Sequence, residues 1–246
     1  MAKTVAVIQA RVGSTRLPGK VLKLLHGKTV LAHVIERVRQ AAEVVEIVIA
    51  TTVSPGDDAI VDEALRCATT VFRGSEEDVL SRYYGAAAES GANIVVRVTS
   101  DCPLIDPQVM DEIIRFFKRN DYDIVTNAAS DISKRTYPRG LDTEVFSFSA
   151  LEEAANKADK QYQHEHVTPY IYEHGRAYYH MNDTDYSRYR WTLDTEEDWR
   201  LIEALYDSLY KGRHDFYLPD ILDVMQRRPE LFDINKDIGQ KKLGTE

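Results

Sequence analysis

Apolar and polar positions alternate at two different spacings through the first half of the chain. Residues 4–8 form a short β-branched run that predicts a strand, and the apolar positions within 30–38 recur at helical spacing. Residues 46–50 then predict a second strand. Strand, helix and strand in this order predict a βαβ unit and a mostly parallel sheet.

The same alternation extends to residue 126. Each predicted helix carries apolar residues on one face, and each predicted strand contains a short run of β-branched residues. These elements are helices over 60–65, 79–84 and 107–117, and strands over 93–98 and 122–126. Together they are typical of the first half of a nucleotide-binding α/β protein.

The pattern changes after residue 131. Residues 134–141 form a polar loop that contains Pro138 and Gly140. The remaining predicted elements are strands over 143–148, 178–181 and 189–193, and helices from Ser149, over 195–210 and over 218–228. Because this region departs from the regular alternation, we expect it to face a substrate.

Length and composition limit the class of protein. With 246 residues, 43% hydrophobic and 29% charged, the chain resembles an ordinary globular protein, and we expect one domain over 1–246. It has neither the apolar run of ~18 residues that a membrane span needs nor a signal-peptide pattern. A soluble cytoplasmic protein with no membrane partner is therefore expected. Cys67 and Cys102 are too few for a disulfide framework and are expected to be free thiols.

Charge narrows the range of partners. The chain has 31 Lys and Arg residues against 40 Asp and Glu residues, a formal net charge of -9. This acidic balance opposes binding to a phosphate backbone, so a nucleic-acid polymer is not expected as a partner. Residues 11–23 run against the trend, because they contain four cations and no acidic residue. A small polyanion is the expected ligand of this segment.

Polar side chains follow several of the predicted strands, and ligands of open parallel sheets bind beyond the carboxyl ends of strands. The first strand leads into a loop with three cations, two glycines and two hydroxyls, namely Arg11, Arg16, Lys20, Gly13, Gly19, Ser14 and Thr15. Later strands lead into Thr51-Thr52, Ser100-Asp101 and Asp194. Cations together with carboxylates suit a nucleoside triphosphate and its Mg²⁺, because phosphate oxygens need donors and the metal needs hard oxygen ligands.

Each of these assignments has a structural alternative. The loop after the first strand is neither a Walker P-loop nor a G-x-G-x-x-G fingerprint, and its alternative is a solvated basic turn. Asp101 stands shortly before Pro103, where a turn residue is common. Asp194 precedes a capping pattern of Thr195 and Asp198, and is alternatively a residue that favours a helix N-terminus.

Two other polar motifs are discounted. His164 and His166 diverge on a helix and have no third ligand nearby in the sequence, so the His-Glu-His string does not predict a zinc site. The D-x-D strings at 121–123 and 183–185 would suit the metal site of a glycosyltransferase. The first lies at the wrong end of its predicted strand, and the second follows a strand of the irregular half.

Six sequence blocks, taken in order, resemble one group of enzymes. They are QARVGSTRLPGK at 9–20, FRGSEEDVLSRYY at 72–84, VRVTSDCPLIDP at 96–107, YPRGLDTEVFS at 137–147, EHVTPYI at 165–171 and RWTLDTEED at 190–198. The first block resembles the nucleotide-binding loop of the cytidylyltransferases that make CMP-activated sugar acids, including the CMP-Kdo and CMP-acylneuraminate synthetases. The whole set is more similar to their relatives named spore coat polysaccharide biosynthesis protein F, and it spans nearly the whole chain.

The resemblance implies an α/β fold of the Rossmann-like nucleotidyltransferase (GT-A-like) type, a three-layer sandwich around a mostly parallel mixed sheet. It implies the reaction of CTP with a sugar acid to give a CMP-sugar and pyrophosphate, for polysaccharide biosynthesis. The residues that match the family's triphosphate loop are Arg11, Arg16 and Lys20, and those that match its Mg²⁺ ligands are Asp101 and Asp194. Further nucleotide contacts are expected from Ala10, Gly13, Ser14 and Ser100. Ser100 stands where a glycine is expected in close relatives.

Residues 1–130 are expected to bind CTP, and residues 131–246 the acceptor. Thr51, Thr52 and Arg73 are candidates for contacts to the base, although an exposed surface arginine explains Arg73 equally well. Cytosine itself is favoured only through the resemblance.

The acceptor is expected to face the irregular half of the chain. Its candidate contacts are Arg139, Asp142, Glu144, Glu165 and His166. Arg139 offers a planar fork that matches the carboxylate of a sugar acid, and its alternative is a solvent-exposed loop arginine.

Other classes of function are still open at the level of the sequence. A glycosyltransferase would consume a nucleotide sugar and release a nucleoside diphosphate, and a nucleotide sensor would bind CTP without releasing pyrophosphate. Within the nucleotidyltransferases, the alternative is another nucleoside triphosphate, or a phosphate or phosphonate acceptor. A homodimer is expected from the relatives, with the apolar segment 145–148 either at its interface or in the core.

Overall fold

The computed structural model describes residues 2–14, 16–129 and 131–239, so the Thr15 hydroxyl expected in the first loop lies outside the described residues. Its strands are β1 (Thr4–Gln9), β2 (Leu24–Leu25), β3 (Lys28–Thr29), β4 (Glu46–Thr52), β5 (Thr70–Gly74), β6 (Ile94–Thr99), β7 (Ile124–Thr126), β8 (Glu144–Ser147) and β9 (Ala177–Tyr179). Its α-helices are α1 (Val30–Val38), α2 (Asp58–Arg66), α3 (Val79–Glu89), α4 (Pro107–Arg119), α5 (Phe148–Lys157), α6 (Gln161–His166), α7 (Pro169–His174), α8 (Glu196–Leu209) and α9 (Leu218–Arg227). Short 3₁₀ helices cover Lys20–Leu22, Pro55–Asp57, Ile132–Lys134 and Pro229–Ile234.

Aliphatic side chains point to both faces of the central strand, as expected for a parallel sheet that is covered on both sides. Val5 and Val7 of β1 pack into one apolar cluster, and Ala6 and Ile8 pack into another. All four are fully buried. The continuous apolar run of β1 therefore reflects burial on two sides and not a half-exposed strand.

Seven strands form one sheet in the order β5-β4-β1-β6-β8-β7-β9. Neighbouring strands from β5 to β6 are parallel, β8 runs antiparallel to both of its neighbours, and β7 is parallel to β9. The expected mixed, mostly parallel sheet is confirmed. Gln9 of β1 is paired with Thr99 of β6, so the residues that follow these two strands emerge at the same edge of the sheet.

Helices cover both faces of this sheet. Helices α1, α2, α4, α8 and α9 share one apolar cluster with Ala6 and Ile8, whereas α3, α5 and α7 share the other with Val5 and Val7. This arrangement is the expected three-layer sandwich. Among the helices of the described ranges, none has the length and apolarity required to cross a membrane.

Side-chain caps define the beginnings of the two helices that border the site. Asp78 Oδ1 accepts from the N–H of Ser81 at 2.9 Å at the start of α3. Thr195 Oγ1 accepts from the N–H of Asp198 at 3.3 Å at the start of α8, and Asp198 accepts from the N–H of Thr195 in return. The cap of α8 is therefore Thr195, and the side chain of the preceding aspartate is free for another role.

Some elements differ from the prediction. The sequence pattern did not predict β5, which is an edge strand with half-buried and exposed residues, nor α6 and α7, which have six residues each. The strand predicted over 189–193 is wrong, because the structure assigns this segment only an isolated bridge between Arg139 and Arg190. Val145 and Phe146 are fully buried within β8, so they belong to the core and not to a dimer surface. The homodimer itself stays a prediction.

Candidate active site

A cleft of about 940 Å³ opens at the carboxyl ends of β1 and β6. The loop that follows β1, the beginning of α3 and residues of α6 all contribute to its lining. Of the site residues predicted from the sequence, the lining contains Ala10, Arg11, Gly13, Ser14, Arg16, Lys20, Ser100, Asp101, Glu165, His166 and Asp194. The polar groups that follow β1 and β6, together with Asp194, therefore meet in one cleft.

Lys20 joins the two predicted metal ligands. Its Nζ donates to Asp101 Oδ2 and to Asp194 Oδ1, at 2.8 Å in each case. The three side chains are mostly buried, with exposed fractions of 12% for Lys20, 23% for Asp101 and 14% for Asp194. Lys20 begins a 3₁₀ helix directly after Gly19, whose φ of 64° lies in the left-handed region that favours glycine.

These ion pairs set the charge states of Lys20 and Asp101. Burial by itself would lower the pKa of Lys20, but the charges of Asp101 and Asp194 outweigh burial and raise this pKa above its ordinary value. Burial would likewise raise the pKa of Asp101, and the Lys20 ammonium lowers it. A charged ammonium therefore stands between the two carboxyl groups.

Hydrogen bonds fix the side chain of Asp101 and connect its backbone to the segment that contains Asp194. Thr99 Oγ1 donates to Asp101 Oδ1 at 2.6 Å, which leaves Oδ2 to the lysine. The backbone carbonyl of Asp101 accepts from the N–H of Leu193 at 2.8 Å, directly before Asp194. Asp101 does occupy a turn, as in its alternative interpretation, but its side chain lines the cleft.

Asp194 is held by a buried arginine. Arg190 Nη2 donates to Asp194 Oδ2 at 2.9 Å, and the same guanidinium donates to Asp198 from Nε at 2.9 Å and from Nη2 at 3.0 Å. Asp198 is fully buried and also accepts from Asn235 Nδ2 at 2.9 Å. Arg16 Nη2 lies 3.0 Å from Asp194 Oδ2. Together with the lysine, three cations therefore surround Asp194.

The two arginines of the cationic loop keep free surface toward the cleft. The Arg11 side chain is 52% exposed, and its Nη1 lies 3.9 Å from Glu76 Oε1. The Arg16 side chain is 39% exposed. Both guanidinium groups line the cleft and retain donors for an anionic ligand.

Thr51, Thr52 and Arg73 do not line the cleft. The two threonines are almost completely buried. Arg73 donates from Nε to the Thr52 carbonyl at 2.8 Å and from Nη2 to the Ser54 carbonyl at 2.9 Å, and its Nη1 lies 2.8 Å from Asp58 Oδ1. Arg73 therefore stabilises the loop after β4. Its guanidinium is not in a position to contact a base in this cleft.

Thr52 supports the cationic loop from outside the cleft. Its Oγ1 donates to Asp57 Oδ2, and Asp57 Oδ1 accepts from the N–H of Val12 at 2.7 Å. This chain of hydrogen bonds connects the end of β4 to the loop after β1, so Thr52 positions the loop without touching a ligand.

Glu144 is buried next to an arginine that lines the cleft. Arg97 Nη1 donates to Glu144 Oε2, and Glu144 Oε1 accepts from Thr168 Oγ1 at 2.9 Å and from Tyr172 Oη at 2.7 Å. Arg97 Nη2 lies 3.4 Å from Gln9 Oε1. Burial opposes the charge on Arg97, but Glu144 raises its pKa above the ordinary value. Glu144 thus serves to fix a cation in the cleft, and is not itself among the lining residues.

The loop over 137–142 lies outside the cleft lining. Asp142 accepts from Arg135 Nη1 at 2.6 Å and from Nη2 at 3.2 Å, so its carboxylate is already paired. Arg139 is half-buried, and its N–H donates to the carbonyl of Tyr189 at 3.1 Å. Burial and the nearby charge of Arg135 lower the pKa of Arg139. Within the described residues, no carboxylate lies at ion-pair distance from the Arg139 guanidinium.

Several lining residues were not predicted, namely Gln9, Glu76, Glu77, Asp78, Arg82, Arg97, Gln161 and His164. Arg97 carried a usable signal, because an arginine inside an otherwise apolar strand requires a buried partner or a ligand. His164 Nδ1 lies 3.2 Å from Asp78 Oδ2 and connects α6 to the start of α3. The sequence pattern did not predict α6, so it could not predict the contact between His164 and Asp78.

Asp101 and Asp194 fit a divalent cation that also binds phosphate oxygens. The shared ammonium demonstrates that both carboxylates reach one point. Mg²⁺ in phosphoryl-transfer sites is typically held by one or two carboxylates together with substrate phosphates. Over the ranges that the structure describes, no group of three or more His, Cys, Asp and Glu side chains is arranged to hold a metal. Phosphate oxygens or water would therefore complete the coordination of a metal at this pair.

Known proteins resemble this chain over different lengths. A family model described as "Cytidylyltransferase" matches residues 5–221. The spore coat polysaccharide biosynthesis protein SpsF of Bacillus subtilis is 35% identical over 235 residues, 91% of this chain and 94% of that protein. The 3-deoxy-manno-octulosonate cytidylyltransferase of Geobacter metallireducens is 39% identical over 115 residues, 46% of this chain and 43% of that protein. The solved structure of a cytidylyltransferase from Leptospira borgpetersenii is 32% identical with a TM-score of 0.88, and the match covers 98% of this chain and 100% of that one.

Proposed function

The chain belongs to the cytidylyltransferase family, and from this premise we propose that it transfers CMP from CTP to a sugar acid and releases pyrophosphate. The observation that carries the proposal is the convergence of Lys20 on Asp101 and Asp194, in a cleft with two exposed arginines. Cations in this arrangement suit a triphosphate, and the carboxylates suit its divalent cation. The names of the similar proteins, which refer to spore coat polysaccharide and to 3-deoxy-manno-octulosonate, support a sugar acid as acceptor and polysaccharide biosynthesis as the purpose.

The cations of the loop act on the phosphates. Arg11, Arg16 and Lys20 bind the triphosphate and neutralise the pyrophosphate as it leaves. Asp101 and Asp194 would hold a divalent cation, which we propose to be Mg²⁺, and this cation would supply positive charge that stabilises the reacting phosphates. An acceptor oxygen attacks the α-phosphorus in line, the bond to the pyrophosphate oxygen breaks, and the acceptor proton passes to water. The proposal requires no side-chain general base.

The acceptor is proposed to lie between α6 and Arg97. Glu165 and His166 of α6 line the cleft and come from the half of the chain expected to bind it. The acceptor carboxylate pairs with Arg97, because this guanidinium lines the cleft and is held in place by Glu144. Arg139 has a matching planar fork but lies outside the lining, and it stays the alternative partner of the carboxylate.

One assay tests this function against its alternatives. Pyrophosphate release is measured with each of CTP, UTP, ATP and GTP against a panel of sugar acids, with a phosphate and a phosphonate acceptor as comparison. Release that requires both CTP and a sugar acid is the expected result. Release with another nucleotide or a phosphonate would change the substrate, and binding of CTP without release would favour a nucleotide sensor. Release of a nucleoside diphosphate from a nucleotide sugar would favour a glycosyltransferase.

Replacing Arg16 or Lys20 with alanine should weaken the use of CTP. Each change removes charge-assisted contacts to phosphate, so kcat/KM for CTP should fall about 10- to 100-fold. Lys23→Ala is the matched control, because Lys23 lies in the same segment but lies near Glu196, at 3.5 Å, and does not line the cleft. Steady-state kinetics at saturating acceptor provides the measurement. Unchanged kinetics in both Arg16→Ala and Lys20→Ala would contradict the role of the loop.

Replacing Arg97 with lysine should raise the KM for the acceptor about tenfold, because a point charge does not reproduce a bidentate contact with a carboxylate. The KM for CTP at saturating acceptor should change by less than about twofold. Arg139→Lys is the matched variant and should leave both constants nearly unchanged. An increase with Arg139→Lys alone would instead assign the carboxylate to the 137–142 loop, and a shift of the CTP constant in Arg97→Lys would place Arg97 on the nucleotide side.

A further inference from the structure

Lys20 occupies the point at which the two acidic side chains of the site would hold a cation. Its Nζ is 2.8 Å from one oxygen of Asp101 and 2.8 Å from one oxygen of Asp194. We propose that Lys20 is a placeholder for the divalent cation, and that it keeps the metal out until a triphosphate draws its ammonium away. The inference rests on the proposed function only in taking these two carboxylates as the metal site.

The ammonium and a divalent cation cannot share this position. Mg²⁺ binds oxygen at about 2.0–2.1 Å, so an ion held by the same two oxygens would stand where the lysine nitrogen stands. Two positive charges at that separation would also repel each other strongly in a mostly buried site. Metal binding through both Asp101 and Asp194 therefore requires Lys20 to leave.

The two carboxylates do not depend on Lys20 alone for their positions. Asp101 Oδ1 accepts from Thr99 Oγ1 at 2.6 Å, and Asp194 Oδ2 is held by Arg190 at 2.9 Å and by Arg16 at 3.0 Å. Each acidic side chain therefore keeps an anchor on the oxygen that does not face the lysine. When the ammonium leaves, a prearranged pair of oxygens stays behind for a metal.

A triphosphate provides the reason for the lysine to move. The lysine side chain is a flexible four-carbon stem, and phosphate oxygens offer its ammonium new partners within the same cleft. The metal in turn lacks ligands without the nucleotide, since the described residues offer it no third His, Cys, Asp or Glu. Binding of the nucleotide thus removes a competitor and adds ligands. By linkage, the metal must strengthen nucleotide binding by the same factor by which the nucleotide strengthens metal binding.

Mn²⁺ titration of the full chain, followed by electron paramagnetic resonance without any nucleotide, tests the placeholder. Lys20→Met should bind Mn²⁺ at least about tenfold more tightly than the unsubstituted protein, because the competing ammonium is gone. Lys20→Gln should show the same direction, which guards against an effect of one side chain on folding. Adding Asp101→Asn to Lys20→Met should abolish the gain, and thermal unfolding of each variant checks that it is folded.

Lys23→Met is the matched control for charge. Lys23 Nζ lies 4.3 Å from the centre of the Trp199 ring and 3.5 Å from Glu196 Oε1, outside the cleft lining. The Lys23→Met substitution removes one positive charge from the same segment, but it does not empty the position between Asp101 and Asp194. The affinity for Mn²⁺ should therefore change less than about threefold. An equal increase in Mn²⁺ affinity in Lys23→Met and Lys20→Met would mean that only the net charge of the loop matters, and it would overturn the proposal. Equal Mn²⁺ affinity in the unsubstituted protein and Lys20→Met would overturn it as well.

Failure of this inference is distinguishable from failure of the proposed function. The Mn²⁺ titration contains neither CTP nor acceptor, so its result does not depend on the reaction. A protein that releases pyrophosphate from CTP but shows no gain in Lys20→Met retains the function and loses the placeholder. In a second arm, calorimetric titration with CTP in the presence of EDTA should give weaker binding to Lys20→Met than to Lys23→Met, since the freed ammonium is expected on the phosphates. Equal CTP affinity in these two variants would also overturn the proposal.

Discussion

Asp101→Asn should lower turnover by about 10²- to 10³-fold, the largest loss expected from any conservative change in this cleft. The amide keeps the shape of the side chain, including an oxygen for the Thr99 hydroxyl, but it removes the negative charge that faces Lys20. Half of the charge that would hold a divalent cation is lost with it. Pyrophosphate release at limiting Mg²⁺ is the measurement, and the deficit should shrink as Mg²⁺ is raised.

The fold should tolerate this change. The substitution leaves the lysine with Asp194 as its partner, so the midpoint of thermal unfolding should fall by no more than about 4 °C. Asp121→Asn provides the matched control, because Asp121 belongs to a discounted D-x-D string and its carboxylate pairs with Arg176 away from the cleft. Near-normal activity of Asp101→Asn would make Asp101 a turn residue. Loss of pyrophosphate release in Asp121→Asn would instead assign the D-x-D string at 121–123 to the active site.

Arg190→Met should destabilise the protein by about 3–5 kcal/mol, because it breaks a buried ion pair and leaves a charge without its partner. Asp198 is fully buried and receives two N–H donors from the Arg190 guanidinium. The same change frees Asp194 on one side and should lower activity in the molecules that stay folded. The free energy of unfolding from urea titration is the measurement.

Two further variants test the cause of this loss. Arg190→Lys keeps the charge but not the forked contact, and it should lose less stability than Arg190→Met. Arg176→Met removes an arginine from an exposed ion pair with Asp121, and the free energy of unfolding should be nearly unchanged. A loss in Arg190→Met as small as that in Arg176→Met would mean that the Arg190 network is not a structural anchor.

Elements buried on a continuous face were predictable from the sequence. The apolar run of β1 and the helical spacing of α1 and α4 identified these elements within a few residues of their ends. The edge strand β5 was missed because its two apolar residues, the half-buried Val71 and Phe72, are too few to form a period. The segment over 189–193 was predicted as a strand on the strength of local preference, but pairing depends on a neighbour, and the structure gives it one bridge at Arg139.

The site was predictable where it follows a single strand end. The cations and glycines of the loop after β1 predicted an anion-binding segment, and this loop lines the cleft. Asp101 was predicted because it follows an apolar strand, and it lines the cleft as well. Thr51 and Thr52 satisfied the same rule and yet do not line the cleft, and Arg73, a candidate because it precedes a predicted helix, does not line it either. The side chains of Thr52 and Arg73 form hydrogen bonds around the end of β4, and Thr51 is buried. Which polar groups require a hydrogen-bond partner depends on residues that are distant in the sequence, so the local pattern does not reveal it.

Local pattern specifies what each segment becomes, because burial of one or both faces requires apolar side chains at a fixed period. It therefore sufficed for most strands of the central sheet, for the longer helices and for the chemical types of the residues at the strand ends. The contacts of Lys20 with Asp101 and Asp194 span 81 and 174 residues of sequence. The first contact forms because Asp101 follows β6, which is the neighbour of β1 in the sheet. The second forms because Leu193, directly before Asp194, is hydrogen-bonded to Asp101. Which strands are neighbours is decided by packing over the whole chain, so the pairing of one lysine with both carboxylates, and the Arg97–Glu144 pair between β6 and β8, emerged only from the folded molecule.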